Sequence, residues 1–371
     1  MRTLRTIIGE QPALLRWTVF VIDGELGLRV DELRIGSDDD QPTYTEVSTV
    51  FEHLGSVCSW RHEDGAQRSP FDPISLPALD DATPMSALLS SATDAVKVVS
   101  TSPAILDEFE SHLNALQDLL TFALDLPVGR LDLSATDLFG RTVEIYGRHR
   151  FAPFERASRR PIEHQLRLSG DWTQTVIDRW WAARATLRPI PQLLAALRYQ
   201  PGYIEADVIL SAAAIEALAS RTDIDEAPRL TNADAQPILD ALNGLRGLNE
   251  DQRAVVSQIK GEITRTTLHS KTELLLNGVN TVALANTRVS IDDWLPKFKR
   301  TRNHIAHGNG GSTSDVWTDS ALLRAVRDAN RVLLSLAFLA HLGVPAAALQ
   351  RAAERMGNRY AGRHRSTGIF R

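Results

Sequence analysis

The period of the hydrophobic positions changes once along this chain, near residue 168. Before it, apolar residues fall in short β-branched and aromatic runs. Residues 17–22 form one such run, Asp23-Gly24 is a turn signal, and residues 26–30 supply the returning strand of a hairpin. Residues 97–99, 131–133 and 142–146 read as further short strands. Between them, residues 105–124 carry Leu113, Leu116, Leu120 and Leu124 at helical spacing. The stretch 36–81 is acidic and rich in Asp, Ser and Pro, and Asp38-Asp39-Asp40 reads as a solvated loop rather than a metal site.

Beyond Ser169 the period is that of helices. Asp171 caps a helix over residues 172–187, and a short one follows to Arg198. Pro201 opens a strongly apolar helix to Ser220, in which Ile204, Val208, Ala212, Ile215 and Ala219 recur on one face and Ile209, Leu210 and Leu218 widen it. Glu205 and Glu216 lie about three turns apart on one side of it, a side read as solvent or interface. Helices over 238–245 and 250–265 follow a loop with Pro228, Asn232 and Pro237. Next comes a basic helix whose start is ambiguous. Ser290 and Asp293 make a capping box, yet Pro296 lies past the first turn, where it removes a hydrogen bond, so regular structure is expected from Pro296. Gly308 ends it, and residues 321–342 form the next helix, stopped by Gly343 and Pro345.

These periods predict an α+β chain with three parts. Residues 1–168 form a β-rich mixed N-terminal domain with a sensing or regulatory role. Residues 169–350 form an all-α bundle, and 351–371 a basic C-terminal tail. Composition narrows the classes. The single cysteine, Cys58, excludes an internal disulfide and a cysteine-rich zinc site and fits a reducing, cytoplasmic compartment. The longest apolar run, 332–340, is too short to span a bilayer. The formal charge is −5, but residues 351–371 hold six arginines against Glu354, so a +5 tail follows a −10 body. Such a tail reads either as a polyanion contact or as a solvated end. A second basic stretch, 141–167, carries net +4 and interleaves Tyr146, Phe151 and Phe154. It reads as an interdomain linker or as a stacking surface for unpaired bases.

Candidate chemistry lies in Arg302-Asn303-His304-Ile305-Ala306-His307-Gly308. The Arg-x4-His spacing recurs at Arg159/His164, which contains Pro161, and at Arg359/His364, which contains Gly362. Only Arg302/His307 sits at a helix end between long apolar helices, the rigid support that a reactive constellation needs. Histidine near neutral pH serves as acid or base, and the arginine fork matches phosphate oxygens. Asn303, four residues before His307, shares its face and can orient the imidazole or the phosphate. Lys297, Lys299, Arg300 and His304 add RNA-binding charge and polarity. Arg302 and His307 are about 140° apart on a straight helix. Their convergence therefore requires a bend or a second subunit, and a symmetric dimer would also supply a second histidine.

This heptad resembles the Arg-polar-x3-His signature of HEPN domains, closest to the ApeA type, with Pro201-Gly202-Tyr203-Ile204 and Ala213-Ala214-Ile215-Glu216-Ala217-Leu218 resembling that type's entry segment. The resemblance covers about residues 170–345. It implies a four-helix-bundle-like HEPN domain, a homodimer with a composite site, and a metal-independent, cofactor-free endoribonuclease acting on tRNA or mRNA in abortive infection against phage. Arg302 and His307 would be catalytic and Asn303 supportive. The alternative is a non-catalytic HEPN-like RNA-binding or dimerisation scaffold.

Overall fold

The computed structural model describes residues 2–22, 25–37, 39, 42–54, 73–90, 95–147, 172–199, 203–221, 232–263, 268–307 and 320–371. These divide into two compact units, Met1–Pro201 and Gly202–Arg371.

The first unit is built on one antiparallel sheet. Its strands are β1 (Arg2–Ile8), β2 (Gln11–Ile22), β3 (Glu25–Ile35), β4 (Thr43–Val50), β5 (Ile74–Leu76), β6 (Met85–Ser90), β7 (Ala95–Ile105), β8 (Ser134–Asp137) and β9 (Thr142–Tyr146). They lie in the order β1-β2-β3-β9-β8-β4-β7-β6-β5. The β2–β3 hairpin and β9 stand where the sequence placed strands, whereas the strand expected at 131–133 begins at Ser134. The expected Asp23-Gly24 turn lies outside the described residues. The acidic stretch 36–81 contains β4 and β5, strands that their own sequence hides because polar residues interrupt the alternation. Val47 of β4, Ala87 and Leu89 of β6, and Val96 and Val98 of β7 point to one buried face, as the two-residue strand period requires. Gly36 takes φ +104°, and a Cβ there would sit 2.6 Å from the Thr142 carbonyl oxygen, so this crossing admits only glycine.

Helix α1 (Leu106–Leu124) packs on β4 and β7 and is covered in turn by α2 (Trp172–Thr186) and α3 (Ile190–Tyr199). The fully buried Trp180 donates to the Ala115 carbonyl at 3.1 Å, Trp181 to His112 Nδ1 at 3.1 Å, and Arg198 to Asp125 at 2.9 Å. These contacts put α2 and α3 in the first unit. The compact units thus divide about 33 residues after the expected 168/169 boundary, because helical period reports local structure and not which core a helix enters.

The second unit is helical: α4 (Ile204–Arg221), α5 (Asn232–Asn243), α6 (Glu250–Ile263), α7 (Leu268–Asn277), α8 (Thr281–Asn286), α9 (Ile291–His307), α10 (Ser320–His341) and α11 (Ala346–His364). Helix α10 is its axis, with α4, α7, α9 and α11 packed against it. Helix α5 begins six residues before its expected start and takes Pro237 into its body. On α4, Leu210, expected in the core, is 40% exposed.

The C-terminal segment is not a loose tail. It continues α11, turns at Arg365–Thr367, and lays Phe370 in a bridge beside Val289. Ser290 N donates to the Ile369 carbonyl and Arg371 N to the Arg288 carbonyl, each at 2.8 Å. The chain end is thereby fastened to the head of α9. Among the described residues, no helix is long and apolar enough to cross a membrane.

Candidate functional site

Helix α9 carries every residue singled out above. It starts at Ile291, not at Pro296. The Ser290 hydroxyl donates to Asp293 Oδ2 at 2.5 Å and the Ser290 carbonyl accepts from Trp294 N at 2.9 Å, which closes the first turn. That hydrogen bond, with help from Arg371 and Lys297, holds the Asp293 carboxyl below the usual carboxylate range. The turn survives the proline because Trp294 and Leu295 are buried and anchor it. Trp294 stacks on Phe298 at 5.1 Å and donates to Asn330 Oδ1 at 2.9 Å. Asn330 in turn donates to Ser211 Oγ of α4 at 2.9 Å, so one buried polar chain ties α9, α10 and α4 together.

Trp294, Phe298 and Thr301 line the buried face of α9, and Arg302 borders it. Arg302 Nη2 lies 3.7 Å from Glu216 Oε2 of α4, and Nη1 donates to Asn303 Oδ1 at 3.3 Å. Arg302 and Glu216 keep 31% and 38% of their side-chain surface exposed, so the pair is open to solvent and to an incoming anion. The side of α4 read as solvent or interface thus offers Glu216 to the motif arginine. An acidic position facing a basic helix was the available signal, but the pairing needs two helices that sequence alone does not align.

Lys297 Nζ donates to the Thr367 carbonyl at 3.2 Å, joining α9 to the turn after α11. Lys299, Arg300 and Asn303 are exposed and His304 is half-buried. Positions 297, 300, 304 and 307 follow the three-four-three spacing of one helix face. His307 is the last described residue of α9, which is helical from Arg302 through it, so the two positions keep the angular offset of a helix.

The decoy pairs separate in physical terms. Arg159/His164 lies outside the described residues, as do Phe151 and Phe154 of the second basic stretch. His364 is a structural residue. It is buried, its Nε2 lies 2.8 Å from Asp328 Oδ2, and its ring stacks on Phe370 at 5.5 Å. Close by in the same core, Arg331 donates to Asp207 at 3.0 Å, and burial raises the Asp207 carboxyl above its ordinary range. The described residues contain no group of three His, Cys, Asp or Glu able to hold a metal ion.

The helical second unit carries Arg-Asn-x3-His on α9, the residues on which the resemblance to HEPN domains rests. Residues 209–348 match the family model described as Apea-like HEPN, which places this segment of the chain in that family. The match begins inside α4 and ends inside α11, so it takes in the whole of α9. The match supports a nuclease or RNA-related defence role for this segment in general terms; HEPN domains commonly bind RNA and dimerise. Neither the curated proteins nor the solved structures contained a match to the chain.

Proposed function

We propose that the protein is a metal-independent endoribonuclease of the HEPN type that acts as a homodimer in abortive infection. The observation that carries this reading is the Arg302–Glu216 contact inside the HEPN-matching segment. It presents a positioned, partly exposed guanidinium five residues before a helix-terminal histidine.

Cleavage proceeds by attack of the RNA 2′-oxygen on the adjacent phosphorus. The new P–O bond forms as the bond to the 5′-oxygen breaks, leaving a 2′,3′-cyclic phosphate and a 5′-hydroxyl. Arg302 neutralises the charge that builds on the phosphorane oxygens, its fork matching two of them. His307 takes the 2′-proton or returns one to the 5′-oxygen, and Asn303 orients the phosphate or the imidazole. One histidine serves one of these roles. With α9 helical through 307, the Arg302 and His307 positions lie about 140° apart around it, so a second copy supplies the facing groups. Lys297, Lys299, Arg300 and His304 hold the RNA near the motif, and the N-terminal unit restrains or positions it. A cytoplasmic location follows from that substrate, a tRNA or an mRNA.

The test is incubation of purified protein with total RNA in EDTA, beside His307→Ala and a strictly monomeric variant. Wild type yields cyclic-phosphate ends, while both variants yield none. Cleavage by His307→Ala would show that the site is wrong, and cleavage by the monomer would show that the site is not composite. A wild type that never cuts, in cells where His307→Ala still abolishes phage protection, would favour the non-catalytic RNA-binding scaffold.

A further inference from the structure

The +5 C-terminal segment has no part in the chemistry above, and it folds into an ordered array. Arg351, Arg355, Arg359 and Arg363 recur at intervals of four along α11. At 1.5 Å of rise per residue they stand about 6 Å apart, cover about 18 Å, and turn by roughly 40° at each step. Arg351 and Arg363 are exposed, Arg355 and Arg359 half-buried, and the Arg359 guanidinium lies over the Tyr360 ring at 5.7 Å. Arg365, also exposed, extends the row into the turn that receives Lys297. Glu354 is the only acid on α11, and Asp293, at the head of α9, is engaged by Ser290 and Arg371. The outward positions between the arginines are small or polar, Asn358 and Gly362, and space beside Gly362 is open.

We propose that this arginine row is a second RNA-binding surface, one that grips the phosphate backbone and leads the strand toward the basic face of α9. Evenly spaced cations without a shape-specific pocket are what sequence-independent backbone binding requires. The row continues through Arg365 and the Lys297–Thr367 contact into the face of α9 that carries Lys297, Arg300 and His304. Tight protein interfaces centre on apolar or aromatic anchors, and membrane-surface helices pair a basic face with apolar side chains that insert. Helix α11 exposes no large hydrophobic residue. The surface also lies mainly beyond the family match, which ends at 348. The inference rests on the ribonuclease reading only for the choice of RNA as the polymer.

The experiment measures binding of the full chain to a fluorescent single-stranded RNA with 2′-O-methyl sugars, which cannot be cut, across a salt series. Two variants are compared: Arg351, Arg355, Arg359 and Arg363 all changed to Gln, and the purely exposed pair Arg351→Glu with Arg363→Glu, which spares folding. Both are expected to bind at least about tenfold more weakly. The slope of log affinity against log salt should fall by about 0.7 for each phosphate that the variant no longer neutralises. The paired reversal, melting as wild type does but binding with unchanged affinity and slope, would overturn the proposal. So would a wild type that binds phosphatidylserine vesicles and ignores the RNA. RNA bound through the row but never cut by wild type leaves this inference standing and removes the ribonuclease reading. Row variants that bind and cut as wild type does have the opposite meaning.

Discussion

Two glycines in α11 allow a test of how this unit is packed, because helix propensity predicts the same effect for both and the structure predicts opposite ones. Replacing a helix-interior glycine by alanine gains about 1 kcal/mol from propensity alone. At Gly362 a Cβ meets nothing within 4 Å, so the gain is kept. At Gly357 it would lie 2.4 Å from the Asn286 carbonyl oxygen, 2.8 Å from that of Thr287 and 2.9 Å from the Thr287 carbonyl carbon. All three atoms are backbone at the end of α8, so no side chain can swing away. Ordinary contacts stand at about 3.5–4.0 Å, so α8 and α11 must part by about 1 Å. Overpacking of this kind costs about 1–3 kcal/mol, and the rigidity of the neighbour puts Gly357→Ala at the upper end. Net of propensity, the loss is about 1–2 kcal/mol. For a unit of this size each kcal/mol moves the melting temperature by about 2–4 °C. Thermal melts should therefore place Gly357→Ala about 2–8 °C below wild type and Gly362→Ala about 2–4 °C above it. A Gly357→Ala protein that melts at or above wild type would refute the close approach of α11 to α8.

Two further outcomes are expected. Glu216→Gln removes the charge that steadies Arg302. Because the pair is about one-third exposed, stability should change by less than about 1 kcal/mol, whereas RNA cleavage should fall about tenfold; an unchanged rate would mean that Glu216 does not position Arg302. His112, whose Nε2 faces the Thr83 carbonyl at 2.9 Å and whose Nδ1 accepts from Trp181, is held below its ordinary pKa of 6.5 by burial. The unfolded chain therefore binds a proton first as pH falls. Stability of the first unit is fully present above about pH 6.5 and declines below it, by up to about 1.4 kcal/mol per pH unit, until the folded pKa is reached. Denaturation followed by tryptophan fluorescence at pH 7.5 and 5.5 measures this, and a His112→Gln protein with the same pH dependence would remove His112 as the cause.

Local signals located much of the fold. The helical period of 105–124 became α1 with a shift of one residue, and the run at 142–146 became β9 unchanged. The motif helix also covers the basic run expected to form it, although it begins five residues before Pro296 and its expected stop at Gly308 lies outside the described residues. What failed depended on partners distant in sequence. Strand β4, with Thr, Glu and Ser in its run, is held by β7 and β8 on its two sides. Helix α9 keeps its first turn despite Pro296 because Trp294 is anchored on Asn330, 36 residues away. His364 reads as incidental in a basic tail, yet Asp328 and Phe370 make it a core residue. Glu216 reads only as an acid on a solvent or interface side until α4 and α9 are set side by side.

The amino-acid sequence by itself determined the two textures, the helix that carries Arg302, Asn303 and His307, and the resemblance that names their chemistry. Period, caps and glycine stops act within a few residues, and a short motif is complete in the chain that carries it. Only the tertiary structure decided which core α2 and α3 join, that Glu216 meets Arg302, and that four of the six C-terminal arginines stand on one helix. Burial and charge pairing are properties of surfaces brought together across many residues, and their energies exist only once the chain has closed on itself.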